Sequence, residues 1–181
     1  MRRLLVMTII GPDRPGLVDS VASLIAEHCG NWLESRMARL GGQFAGILRV
    51  EIPAQKEQLL ISALGQFQKQ GVRIVVHGDE PNSVSQAVRL SLLDIVGQDR
   101  PGIVRQISHA LASYGVNVEE LQTECESAAM SGETLFRARA KLSIPRSCSV
   151  DEIRQQLERI AEDLIVEISF AELPATEPAK R

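Results

Sequence analysis

Ile10-Gly11-Pro12-Asp13-Arg14-Pro15-Gly16-Leu17-Val18 returns 86 positions later as Val96-Gly97-Gln98-Asp99-Arg100-Pro101-Gly102-Ile103-Val104. The same offset carries Val21 onto Ile107, Ile25 onto Leu111 and Asn31 onto Asn117, so the register persists through a helix-length segment. A long fixed-period echo of this kind marks a duplicated structural unit. Residues 1–80 and 88–172 therefore read as two copies of one small domain. A polar, turn-rich linker is expected over 81–87 and a flexible tail over 173–181.

Outward from the repeated turn, the apolar period alternates between strand and helix. Leu4–Ile10 and Val88–Val96 are short apolar runs, as a central strand gives. Leu17, Val18, Val21, Leu24 and Ile25 then recur at helical spacing, as do Ile103, Val104, Ile107 and Leu111. Further on, Phe44, Gly46, Leu48, Val50 and Ile52 alternate with Gln43, Ala45, Ile47, Arg49 and Glu51. In the second copy Phe136, Ala138, Ala140, Leu142 and Ile144 alternate with Arg137, Arg139, Lys141 and Ser143. Period two with one apolar face predicts an antiparallel sheet covered on one side.

Second helices follow Pro53 and Pro145, with stripes of Leu59, Leu60, Ala63, Leu64 and Phe67, and of Ile153, Leu157, Ile160, Ala161 and Leu164. Ser149 with Glu152 forms a capping box. Val72–His77 and Ile165–Phe170 close the copies as strands. The result is α+β, two tandem βαββαβ units of ferredoxin-like type, with four-stranded antiparallel sheets and helices on one face.

The chain has 181 residues, 44% apolar, 24% charged and only 3% aromatic, so the core is aliphatic and base-stacking platforms are scarce. Twenty Lys and Arg against 23 Asp and Glu leave a net charge of −3. That balance argues against direct nucleic-acid binding. No apolar run is long enough to span a bilayer, and the opening Met1-Arg2-Arg3 followed by Leu4-Leu5-Val6-Met7 reads as a first strand in place of a signal peptide. Cys29, Cys125 and Cys148 lack metal spacing and read as free thiols of a cytoplasmic protein, with no metal and no cofactor.

The repeated turn reads as a helix start. Asp13 and Asp99 are placed as N-caps, Pro15 and Pro101 fit the first turn, and Gly16 and Gly102 permit close approach of a ligand. With Gly11 and Gly97 just before it, the turn offers backbone amides to a carboxylate. A phosphate loop is excluded, because Leu17-Val18 and Ile103-Val104 stand where Lys and Ser or Thr belong. A small zwitterion is the better guest. Asn31 and Asn117 are expected to close the first helices, either as turn residues or as amides for a ligand.

These motifs resemble the ACT domain over residues 3–80 and 88–172. Two such domains filling the chain, with a longer second hairpin (Glu124 to Glu133) before Thr134-Leu135-Phe136, are similar to the glycine cleavage system transcriptional repressor family. The resemblance implies a regulator that binds a small amino acid, glycine or serine, through the turn. It also implies a protein partner such as a transcriptional activator, and a homo-oligomer. Carried over by position, the ligand residues are Asp13, Arg14, Pro15, Gly16, Leu17, Val18 and Asn31, with Asp99, Arg100, Pro101, Gly102, Ile103, Val104 and Asn117.

An enzyme is not expected. His28, His77 and His109 occupy unrelated positions of the repeat, and no nucleophile–base grouping is legible. The other reading is an interaction module without ligand, or the regulatory subunit of a metabolic enzyme. Arg137, Arg139 and Lys141 share one strand face and form a candidate cationic stripe for an acidic partner.

Overall fold

A computed structural model describes residues 1–79, 88–127 and 134–173. The expected linker at 81–87, the hairpin residues 128–133 and the tail from 174 lie outside the described residues. The chain divides into two compact units, residues 1–83 and 84–181.

Unit 1 runs β1 (Arg2–Pro12), α1 (Leu17–Glu27), β2 (Asn31–Leu40), β3 (Gln43–Pro53), α2 (Glu57–Leu64) and β4 (Arg73–Gly78). Unit 2 repeats it as β5 (Val88–Gln98), α3 (Ile103–Ser113), β6 (Asn117–Ser127), β7 (Thr134–Pro145), α4 (Val150–Leu164) and β8 (Val166–Glu172). The sheets have the orders β2-β3-β1-β4 and β6-β7-β5-β8, antiparallel throughout. The duplicated register is visible in the pairing: Gly11 faces Phe44 and Gly97 faces Phe136. At both glycines a Cβ would stand within 3 Å of the Val72 or Val166 backbone, so Gly11 and Gly97 serve close strand approach.

Alternation sends Leu5, Met7 and Ile9 of β1 and Leu48, Val50 and Ile52 of β3 under the helices, where all are buried. Leu17, Val21 and Ile25 of α1, with Leu60, Leu64 and Phe67, cover them. Three expected members of the helix stripes, Val18, Leu59 and Val104, are instead exposed. In unit 2 a buried cluster built in the same way includes Leu93, Ile107, Leu142, Ile144, Ile153 and Leu157. The Ser149 half of the capping box is present, with Ser149 Oγ accepting from the Glu152 N–H at 3.4 Å.

The asparagines do not close the helices. They open β2 and β6. Each first helix ends in a Schellman turn: Cys29 N–H donates to Ala26 O and Gly30 N–H to Ile25 O, and Gly115 and Val116 repeat this on Ala112 and Leu111. The left-handed residue is Cys29 (φ 60°) in one copy and Gly115 (φ 67°) in the other.

Two packing differences separate the units. Trp32 and Met37 pack on the unit 1 core, where the Met37 side chain occupies the space above Gly46. Val118, Thr123 and Ala138 replace them, and an apolar crevice opens between α3 and β6. Ser91 stands where unit 1 has Leu5, fully buried with no hydrogen-bond partner for its hydroxyl among the described residues.

Ser91→Ala is therefore expected to stabilise the protein by about 1 kcal/mol, because a buried hydroxyl without a partner costs about 1–3 kcal/mol. A urea midpoint that falls would show that the hydroxyl is satisfied. Cys29→Gly should add about 0.5–1 kcal/mol and Gly115→Ala should remove about as much, the left-handed backbone being disfavoured for any residue with a Cβ.

Candidate functional site

The turns that follow β1 and β5 share a backbone and differ in their side-chain contacts. Gly16 (φ 80°) and Gly102 (φ 99°) are the N-cap residues, both left-handed, and neither α1 nor α3 has a side-chain cap. Asp13 and Asp99 stand three residues too early to cap, which corrects the expectation from sequence. Their backbone N–H groups instead tie the turn to the neighbouring hairpin, on Gly42 O at 3.0 Å and Thr134 O at 2.9 Å. Glycine is required by the backbone conformation itself: a Cβ at Gly16 would meet nothing within 4 Å.

In unit 1 the polar side chains of the turn are engaged. Asp13 pairs with Arg39 Nε at 2.9 Å, and Arg14 donates to Gln70 Oε1. In unit 2 Cys125 occupies the position equivalent to Arg39, and the Asp99 carboxylate has no partner among the described residues. Arg100 Nη2 donates to Gln98 Oε1 at 3.3 Å. Leu17 and Ile103 anchor the helix starts in the cores, while Val18 and Val104 face outward. The Leu17 N–H is taken by Arg14 O at 3.4 Å, but with no side-chain cap on α1 or α3 the N–H groups of Val18 and Asp19, and of Val104 and Arg105, have no partner among the described residues and are left to water or to an anion.

The asparagines are not brought to the turns of their own unit. Asn31 is level with Leu4 through their common partner Glu51, whereas the turn follows Pro12. At about 3.3 Å per residue the eight steps from Leu4 to Pro12 put the two roughly 26 Å apart. Asn117 and the Asp99 turn are separated in the same way, and Asn117 Nδ2 donates to Glu119 Oε1 at 2.9 Å. The asparagine of each unit is therefore out of reach of a small molecule held at the turn of the same unit.

Sequence reasoning missed Arg39 and Gln70, whose link to the turn is purely tertiary. The glycine caps were legible in principle, since each glycine immediately precedes the first buried residue of a helix. Arg137, Arg139 and Lys141 share one exposed face of β7, and two of them are ion-paired there: Arg139 Nε lies 2.8 Å from Asp94 and Arg137 Nε 3.5 Å from Glu126. The hydrogen bond to Asp94, with that carboxylate's charge, raises the Arg139 guanidinium above its ordinary pKa. The hairpin expected to loop from Glu124 continues as paired strand to Ser127.

Among the described residues no group of His, Cys, Asp or Glu could hold a metal ion, and no helix is long and apolar enough to cross a membrane. The three histidines lie at the α1 terminus, on β4 and on α3.

The ACT domain family model matches residues 3–77 and 89–171. The chain belongs to the ACT-domain family. ACT domains are regulatory modules, and here two of them account for nearly all of the chain. An unknown protein from Galdieria sulphuraria, solved as a crystal structure, is 32% identical, with 96% of this chain and all of that chain covered and a TM-score of 0.87. A crystal structure provisionally described as a glycine cleavage system transcriptional repressor shares the fold at 17% identity, covering 96% of this chain and 98% of that one, with a TM-score of 0.67. No curated protein sequence matches the chain.

Conformational demand at the ACT turns has a measurable signature. Gly16→Ala and Gly102→Ala should each cost about 1–2 kcal/mol, while the corresponding Asn variants should cost less, because Asn tolerates the left-handed region. Equal costs for Ala and Asn in urea titrations would mean that space, not backbone conformation, selects glycine.

Proposed function

We propose that the protein is a non-enzymatic, amino-acid-responsive regulator that acts in the cytoplasm through contact with a protein partner. The observation that carries this reading is the pair of uncapped helix starts at the Asp13–Gly16 and Asp99–Gly102 turns in a tandem ACT chain. The N–H groups of the second and third residues of each helix, unpaired among the described residues, and the positive end of a helix dipole favour a carboxylate. The Asp99 carboxylate, unpaired among the described residues, offers a counterpart for an ammonium group, so a small α-amino acid matches the polarity of the site. Residues Asp13 to Val18 and Asp99 to Val104 would contact it, and Asn31 and Asn117 would join from a second copy of the chain. That requirement favours a homo-oligomer.

Glycine or serine is the ligand we propose, and control of glycine cleavage genes is the proposed output, a reading to which the likeness to the provisional repressor lends support. The charge balance supports an indirect route to transcription. A net charge of −3 suits contact with a transcriptional activator better than contact with DNA.

Calorimetric titration of the full chain with glycine, serine and alanine tests this. Saturable heat with at least one of them is expected. Val18→Pro and Val104→Pro, which delete one first-turn N–H where proline is tolerated, should weaken binding by about tenfold, equivalent to one charge-assisted hydrogen bond of about 1.5 kcal/mol. Heat from none of the amino acids, or unchanged affinity in both variants, would reject the turn as the site.

A further inference from the structure

The crevice between α3 and β6 is a product of the duplication. Three large side chains of unit 1 have small counterparts in unit 2. The 86-residue offset sets Val118 in place of Trp32 and Thr123 in place of Met37, while the neighbour of the central strand changes from Leu48, opposite Met7, to Ala140, opposite Leu93. Trp32, Met37 and Leu48 fill the space in unit 1, where all three pack in or on the core. Large-to-small changes leave room behind because the surroundings relax only in part.

The walls of the space are apolar throughout. Val104 and Ile107 of α3 face Val118 and Leu121 of β6, over a floor that includes Ala138 and Ala140. The Ser108 hydroxyl is turned onto Arg105 O at 3.2 Å, and no polar atom lines the crevice. Walls of this kind exclude water and favour an apolar occupant. A hydroxyl placed among them would lose its hydration and gain no partner. The volume is about 30 Å³. A cavity that takes benzene is about 150 Å³, so methyl groups fit here and an aromatic ring does not.

One end of the crevice is the start of α3. Val104 belongs to both places: its side chain lines the crevice, and its N–H has no partner among the described residues. The Asp99 carboxylate, also unpaired among the described residues, stands in the turn that leads into the same helix. An apolar side chain from another protein would fill the crevice and leave these polar groups unanswered. A free amino acid with a branched aliphatic arm answers both, its methyl groups on the apolar walls and its charged head at the turn.

We propose that unit 2 binds a branched-chain aliphatic amino acid, leucine, isoleucine or valine, with its side chain in the crevice between α3 and β6. This rests on the reading of the repeated turns as amino-acid sites. It leaves glycine or serine to the unit 1 turn, beside which Trp32 and Met37 close the equivalent space.

Calorimetric titration of the full chain with leucine, isoleucine, valine, alanine, glycine, serine and phenylalanine tests the assignment. At least one branched amino acid should bind about tenfold or more tightly than alanine, and phenylalanine should give no saturable heat. Val118→Trp and Thr123→Met, which restore the unit 1 residues, should each keep the thermal midpoint at or above that of wild type and weaken binding of the branched ligand by about tenfold or more. Arg139→Glu, on the opposite face of the sheet, should leave it unchanged. Leucinamide, which lacks the carboxylate, should bind at least about tenfold more weakly than leucine. Saturable heat from glycine or serine alone, or equal binding of leucine by wild type and both filled variants, would overturn the crevice as a site and leave the regulator reading standing. Sedimentation in which Val118→Trp dissociates a wild-type dimer, with leucine without effect, would give the crevice to a second copy and equally overturn it. No heat from any of the amino acids would remove the amino-acid reading itself, and the crevice site with it.

Discussion

Each unit is only two layers thick, and everything else follows from burying one face of a four-stranded antiparallel sheet under two helices. Leu5, Met7 and Ile9 in the middle of the first sheet have no second layer to turn to, so α1 and α2 must lie on the same side. At about 25 cal/mol per Å² of apolar surface, the aliphatic contact between the layers is the dominant stabilising term. A fold held this way leaves two places free of structural duty, the helix starts at the end of the central strand and the uncovered sheet face.

The duplication shows what that constraint tolerates. The core rows repeat almost residue for residue, yet Ser91 stands for Leu5, and Trp32 with Met37 gives way to Val118 with Thr123. Outside the core the copies diverge freely. Arg39 engages Asp13 in the first turn, Cys125 takes its position in the second, and the outward rows change from apolar to ion-paired. The two ACT domains are alike as scaffolds and unlike as surfaces.

The fold was legible because the signals for it are local. A period of two or of 3.6 is read within ten residues, and the echo at 86 positions fixes the copies without any knowledge of contacts. The turn was only half legible. Asp-Arg-Pro-Gly marks a helix start, but which residue caps depends on where the chain leaves the strand, and Asp13 spends its N–H and carboxylate on the neighbouring hairpin.

Sequence alone determined the two βαββαβ units, their strand faces, their aliphatic cores and the position of the repeated turn, because alternation and periodicity are properties of consecutive residues. Tertiary structure alone decided that Asn31 and Asn117 stand at the opposite end of the sheet from their turns, that Arg137 and Arg139 are neutralised by Glu126 and Asp94, and that Ile47, Thr8 and Val75 form one row. Those are relations between strands, set by register and pairing, and no run of neighbouring residues contains them.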